Sequence, residues 1–81
     1  SFRETIEIHG IDKMGVFINV LTIITTEFNI NLSSIHIQSE DGTFGGTLDL
    51  FVYDKQELED LFTALKKIPE LTSVQRIETN I

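Results

Sequence analysis

Two alternating runs, Asn31 to Glu40 and Thr43 to Tyr53, flank the dipeptide Asp41-Gly42, and no other feature restricts the chain as strongly. An Asp-Gly pair suits the positive φ angles of a two-residue turn, so the runs are expected to pair as an antiparallel hairpin. Because the side-chain period of a strand is two, the turn also assigns faces. Ile35, Ile37, Phe44, Leu48, Leu50 and Val52 point inward, and His36, Gln38, Asp49, Phe51 and Tyr53 point outward. Gly45-Gly46 within the second run marks a bulge or a close backbone approach.

Around this hairpin the chain has room for little else. Phe2 to Ile11 alternates, with Ile6 and Ile8 on one side and Thr5, Glu7 and His9 on the other, as a half-buried strand does. Val16 to Phe28 is rich in β-branched residues, which favour strands. Yet Phe17, Leu21, Ile24 and Phe28, with Val20 beside them, fall at helical spacing, and thirteen residues is long for a strand, so a helix is expected. Asp12 stands at the N-cap position and Asn29 at a helix stop. Asp54 and Glu57 have capping-box spacing ahead of a second helix whose stripe is Leu58, Leu61, Phe62, Leu65 and Ile68. Lys66-Lys67 suits the helix C-terminus, and Pro69 ends it. A last strand runs from about Leu71 to Thr79, where Val74 and Ile77 have opposite parity and need a bulge if both are buried.

The order strand, helix, strand, strand, helix, strand specifies an α+β fold of the ferredoxin-like βαββαβ type, a four-stranded antiparallel sheet with two helices on one face. Right-handed crossovers give the spatial order four, one, three, two, with the second and fourth strands as edges. The expected core is Ile6, Ile8, Val20, Leu21, Ile24, Ile35, Leu48, Leu50, Leu61 and Leu65. Val16, Ile18 and Ile23 are left over as an apolar surface of the first helix.

Composition then removes whole classes of function. The 81 residues carry thirteen Asp and Glu against six Lys and Arg, a net charge of −7, and lack the clustered cations that phosphate backbones require. With no Cys there is no disulfide, thiolate metal site or cysteine nucleophile, which fits a reducing compartment, and the cytoplasm is the expected location. No apolar run approaches the ~20 residues that span a bilayer. His9 and His36 are read as surface strand residues, without an acid or nucleophile placed for catalysis. Glu57, Glu59 and Asp60 form a solvated helix face, and Glu40-Asp41 is turn chemistry. No cofactor is expected. The start at Ser1, with neither Met nor a signal pattern, suggests a single domain, residues 1–81, cut from a longer chain. So small a domain buries only roughly 60% of its unfolded surface, which makes self-association an expectation.

The segment Ile11-Asp12-Lys13-Met14-Gly15-Val16-Phe17 joins the first strand to the first helix and resembles the first loop of the ACT domain, Asp-Arg-x-Gly followed by two hydrophobic residues. Lys13 replaces the usual Arg, and Met14 is the variable position. Asn31-Leu32, after Phe28-Asn29-Ile30, resembles the Asn-Ile that opens the family's second strand. Gly42-Thr43-Phe44-Gly45-Gly46-Thr47-Leu48, Val52-Tyr53-Asp54, the Leu61 to Ile68 helix and Val74-Gln75-Arg76 narrow the resemblance to the C-terminal ACT domain of RelA/SpoT proteins, the GTP pyrophosphokinases of the stringent response. The joint spacing covers about 70 residues.

The resemblance implies a regulatory module without chemistry of its own, conveying amino-acid or ribosome status to catalytic domains elsewhere in a parent enzyme of (p)ppGpp metabolism. It implies a small amino acid at the first loop. Asp12 would meet its ammonium group and the N–H groups near Gly15 and Val16 its carboxylate, with Lys13 and Met14 in the same loop. Asn31 of a neighbouring subunit would add a polar contact across a homodimer paired through edge strands. Ribosomal RNA and the parent's catalytic domains are further implied partners; a membrane is not. The same residues have plainer readings, Asp12 as an N-cap, Gly15 as a packing position and Asn31 as the start of a strand. Two competing functions remain at this point. One is an amino-acid-binding ACT domain of a biosynthetic enzyme or its regulatory subunit, and the other a ferredoxin-like RNA-binding module, which needs a continuous basic sheet face.

Overall fold

Asp41 and Gly42 both take positive φ angles, 54° and 80°, and they turn the chain between β2 (Asn31–Glu40) and β3 (Thr43–Val52). The hairpin register follows from this turn, with Glu40 opposite Thr43, Ile35 opposite Leu48 and Ser34 opposite Asp49. The structure, a computed structural model, describes residues 1–78. The remaining elements are β1 (Phe2–Ile11), α1 (Val16–Thr22) continued by a π-helical turn (Ile23–Glu27), α2 (Lys55–Leu65) and β4 (Leu71–Ile77). The sheet order is β2-β3-β1-β4 with every neighbouring pair antiparallel, the expected ferredoxin-like arrangement with β2 and β4 as edges. Thr79, the expected end of the last strand, lies outside the described residues.

The core sits between the sheet and the helices. Ile6, Ile8, Leu48 and Leu50 of the two central strands are wholly buried and meet Val20, Ile24, Leu61 and Leu65 from above. Truncating any such side chain to Ala costs about 2–5 kcal/mol in comparable cores. α2 follows its N-terminal signals closely but ends at Leu65, short of Pro69, with Lys66 as its C-cap and Ile68 buried beyond it. The Glu57 N–H donates to Asp54 Oδ1 at 2.9 Å, and the Glu57 carboxylate accepts from the Tyr53 N–H at 2.7 Å, so the cap is satisfied from both sides. Tyr53 itself is exposed and lies beyond the end of β3.

Four details depart from the sequence reading, each for a local reason. First, the sheet-facing stripe of α1 is rotated by one residue. Val16 (6% exposed) and Ile23 (8%) are buried with Val20 and Ile24, whereas Phe17, Leu21 and Phe28 are half-buried at its flank. The π turn, in which the Phe28 N–H reaches back to the Ile23 carbonyl, brings Ile23 and Ile24 onto the sheet together. Of the three apolar residues expected to be left over, only Ile18 (68% exposed) remains outside. The helix does stop at Asn29, which adopts a left-handed φ of 54°.

Second, Ile35 shares the face of Leu48 but is 42% exposed on the edge strand β2, whose Leu32 and Ile37 do pack against the core. Third, Gly45 and Gly46 keep the register on both sides, so they are a close approach and not a bulge; a Cβ at Gly46 would collide with the His36 carbonyl and the Ile37 side chain. The bulge in β2 falls instead at Ser33. Fourth, the β4 irregularity lies near Thr72, between the Gly10–Leu71 and His9–Ser73 pairs. It places Leu71 and Val74, not Val74 and Ile77, on the buried face; Ile77 is half-buried opposite Thr5.

The opposite face of the sheet is open and polar, and Asp49 is its centre. Its carboxylate accepts from the Thr5 hydroxyl, from the Ser34 hydroxyl at 2.7 Å and from the Arg3 guanidinium at 3.0 Å. These donors, Thr5 foremost, lower its pKa from 3.8 to about 2. One side chain thus ties β1, β3 and β2 together. Because the folded pKa is depressed, its contribution is fully present above about pH 4 and is lost as pH falls toward 2. Asp49→Asn is expected to lower stability by about 1–2 kcal/mol at pH 7, after allowance for solvent at this face, and by much less near pH 2, where the folded carboxyl is half protonated. Urea titrations at the two pH values check this; equal losses at both would show that the carboxylate charge is not what matters.

Candidate functional site

The loop between β1 and α1 is held by backbone bonds at both ends. Ile11 N–H donates to Glu70 O, Asp12 N–H to Gly42 O and Lys13 N–H to Ile11 O, each at 2.9 Å, and Val16 N–H donates to Lys13 O at 3.2 Å. The hairpin turn thereby fixes Asp12, and the start of β4 fixes Ile11. Asp12 is not the N-cap. That position belongs to Gly15, at φ 88° and without a side-chain cap bond, so the helix begins three residues later than the Asp implies. Gly15 is needed for its left-handed backbone; nothing in the chain lies within 4 Å of where its Cβ would be.

The loop presents a compact set of groups to solvent. Asp12, Lys13 and Met14 are exposed and Val16 is buried beneath them. The first helical bond runs from Asn19 N–H to Gly15 O at 2.9 Å, which leaves Phe17 and Ile18 N–H without intrahelical acceptors. The Val16 N–H, expected from resemblance to receive a carboxylate, is already engaged by Lys13 O.

Asn31 is elsewhere. It pairs with Phe51, which pairs with Arg3, whereas Ile11 pairs with Thr43, which pairs with Glu40. Asn31 and the loop therefore lie at opposite ends of the sheet, about eight strand residues or roughly 26 Å apart along β1. Within one chain the structure joins Asp12, Lys13, Met14, Gly15 and Val16 but does not join Asn31 to them.

The two sheet edges differ in what they offer. β4 has seven residues, a bulge near Thr72 and a charged clamp, Arg76 to Glu4 at 2.8 Å, features that blunt an edge. β2 has ten residues and no charged side chain from Asn31 to Ser39. Exposed Ile35 lies on it and exposed Ile18 on α1.

The Asp49 cluster went unread as a polar centre, although its signal was present: the two-residue turn sets Ser34 opposite Asp49, and the strand order sets Thr5 opposite Asp49. The open face carries Arg3 paired to Asp49, and Glu7 with His9 Nε2 3.5 Å from its Oε1, and so forms no continuous basic surface of the kind an RNA reader uses. Among the described residues no three His, Asp or Glu converge as a metal-binding group, and no helix is long and apolar enough to cross a membrane.

Comparison with known proteins supplies the family. The model of the ACT domain matches residues 1–76. The crystal structure of the ACT domain from GTP pyrophosphokinase of Chlorobium tepidum is 30% identical, covers 94% of this chain and 97% of its own, and superposes with a TM-score of 0.84. The solution structure of that domain gives 29% identity, coverage of 98% and 89%, and a TM-score of 0.83. The acetolactate synthase small subunit of Thermotoga maritima shares the fold alone, at 19% identity and a TM-score of 0.80 over 96% of this chain and 48% of that one. No curated protein matches the sequence. With the expected fold, the Asp12–Val16 loop and a match over nearly its whole length, the chain belongs to the ACT domain family, whose members are regulatory and not catalytic.

Proposed function

We propose that this chain is the C-terminal regulatory domain of a RelA/SpoT-type GTP pyrophosphokinase, conveying amino-acid or ribosome status to catalytic domains elsewhere in a longer cytoplasmic protein. The observation that carries this reading is the 30% identity, spread over almost all of both chains, to the ACT domain of the Chlorobium tepidum enzyme. The amino-acid biosynthetic alternative has only fold-level likeness behind it, at 19% identity. In the parent, residues 1–81 do no chemistry; their contribution is a difference in contacts between two states of the whole protein.

The ligand of this reading is a small amino acid. The Asp12 carboxylate takes its ammonium group, and backbone N–H groups at the start of α1 take its carboxylate. Lys13 and Met14 border the site, Gly15 keeps it open and Val16 forms its floor. Asn31 takes part only from a second copy, because its own loop is at the far end of the sheet. Two copies joined antiparallel through β2 reverse that relation and bring each Asn31 toward its partner's loop. The β2 edge suits such a pairing. For a chain of charge −7, an edge uncharged from Asn31 to Ser39 is where two copies meet with least repulsion.

Two measurements test this reading. The full-length parent is expected to make or hydrolyse (p)ppGpp, and removal of residues 1–81 is expected to leave that chemistry while changing its response to amino acids or ribosomes. A parent with neither activity overturns the assignment. Separately, the 81-residue chain is expected to sediment as a dimer at micromolar concentration, and Ile35→Lys as a monomer with unchanged circular dichroism. A wild-type monomer across that range contradicts the β2 pairing.

A further inference from the structure

The ten residues of β2 do not make one uninterrupted ladder. Leu32 pairs with Leu50 and Ser34 with Asp49, so Ser33 is an extra residue whose bulge divides the strand into 31–32 and 34–40. In the longer stretch Ser34, His36, Gln38 and Glu40 take the open face with Asp49, Thr47, Gly45 and Thr43, and Ile35, Ile37 and Ser39 take the helix face with Leu48, Gly46 and Phe44. Leu32, before the bulge, is on the helix face with Leu50. Two copies joined antiparallel about a two-fold axis perpendicular to the sheet share an open side, so directly opposed residues must take the same face. The axis therefore passes at a residue opposed to itself. At Ser34, Ile35 or His36 it sets Leu32 against the partner's His36, Gln38 or Glu40, a helix-face residue against an open-face one each time. At Ile37 no such conflict arises. Ser34 then opposes the partner's Glu40, Ile35 the partner's Ser39 and His36 the partner's Gln38, so the whole unbulged stretch pairs. At Gln38 the ladder shortens to 36–40.

We propose that the Ser33 bulge fixes the register of the β2 dimer, with the two-fold axis at Ile37, and that this register sets Asn31 of one copy level with the Asp12 loop of the other. It rests on the β2 pairing proposed above. Backbone hydrogen bonding favours the same axis. A two-residue turn closes on a bonded pair, here Glu40 with Thr43, and bonded and unbonded pairs alternate along an antiparallel ladder. Residues 34, 36, 38 and 40 thus direct their backbone groups to β3, and Ile35, Ile37 and Ser39 direct theirs out of the sheet. Only the Ile37 axis matches all of these with one another, Ile37 with itself and Ile35 with Ser39. The side chains agree. Ile35, exposed in one chain, lies diagonal to the partner's Ile37, so an apolar row crosses the axis on the helix face. On the open face Glu40 meets the partner's Ser34, and the partner's Asp49, one strand behind, is matched by the partner's Arg3.

The register decides what the second copy brings to the loop. Glu40, Thr43 and Ile11 stand at one level of the sheet, and Asp12 lies one residue beyond it. Leu32 and Asn31 continue past the rung of Ser34 and the partner's Glu40, and so pass the same level. Three strand spacings, roughly 14 Å, then separate Asn31 from the partner's Asp12. The partner's β2 ends at Glu40 and its β3 begins at Thr43, so the Asp41-Gly42 turn is what stands between them. An axis at Ile35 would instead hold Asn31 alongside the partner's β2, with two strands between it and the loop.

Disulfides report the register, because the chain has no native Cys and both His36 and Gln38 are exposed. With the axis at Ile37, His36 and the partner's Gln38 form an unbonded pair with Cα atoms about 4.5 Å apart, within the range a disulfide spans. Each is roughly 8 Å from its own counterpart, which is too far. His36→Cys and Gln38→Cys chains, one carrying a mass tag, are equilibrated in a glutathione buffer at micromolar concentration, separately and mixed, with sedimentation and circular dichroism on each. The mixture is expected to link the two variants to each other at least about tenfold more than either links to itself. Self-linking of His36→Cys or of Gln38→Cys as the main product, or linking of His36→Cys to Ser34→Cys, reports an axis at His36, Gln38 or Ile35 and overturns the register while leaving the β2 dimer standing. A dimer in which none of these links forms, or a monomer at micromolar concentration, overturns the β2 pairing as well.

Discussion

The pairing of β1 with β3 is the constraint on which the rest of the molecule depends. Their facing residues Ile6, Ile8, Leu48 and Leu50 are wholly buried, and the helices can cover the sheet only where those side chains stand. An unbroken ten-pair register from Phe2–Val52 to Ile11–Thr43 then sets the level of everything attached to either strand. It delivers Ile11 beside the hairpin turn, where the Asp12 N–H finds the Gly42 carbonyl, and so builds the loop that carries the candidate site. The same register carries β2 parallel to β1 and sends Asn31 to the far end.

That geometry gives the functional reading its shape. On the proposed reading, a loop with an exposed carboxylate, a left-handed glycine and unpartnered N–H groups serves as half of a binding site for a zwitterion. The other half named by the family resemblance is about 26 Å away in the same chain. An edge strand that is ten residues long and uncharged over its first nine supplies the means to close the gap with a second copy. Regulation by such a site follows from general linkage: a ligand shared by two copies binds the paired state more tightly and shifts the population toward it.

How much of this was legible in the residues varied with the kind of signal. Asp41-Gly42, the Asp54–Glu57 cap and the Leu58–Ile68 stripe are local, strong and mutually consistent, and the elements they announce are present with close boundaries. The phase of α1 was not legible. Its run from Val16 to Phe28 is apolar on several sides, so periodicity cannot choose between adjacent stripes, and the π turn that settles the choice has no sequence signature of its own. The bulges at Ser33 and near Thr72 were equally hidden, since each is imposed by the need to keep Leu32, Leu71 and Val74 on the buried face. Ile35 was misjudged because parity tells which face a residue takes and not how deeply it is buried there. At the site, the loop was found through family likeness and not through its chemistry, because an exposed Asp before a Gly is common; the separation of Asn31 from it follows only from the strand register.

The central claim is that the site is assembled from two chains. Pulsed dipolar spectroscopy tests it directly, because the protein has no native Cys and can be labelled at single positions. Chains labelled at Met14→Cys and chains labelled at Asn31→Cys are mixed in equal amounts, so that a Met14–Asn31 distance can arise only between copies. The account predicts a population under about 20 Å, set by a few strand spacings of ~4.8 Å, against roughly 25–30 Å within one chain. The absence of any coupling between separately labelled chains, or a distance only beyond 30 Å on that same scale, would contradict it.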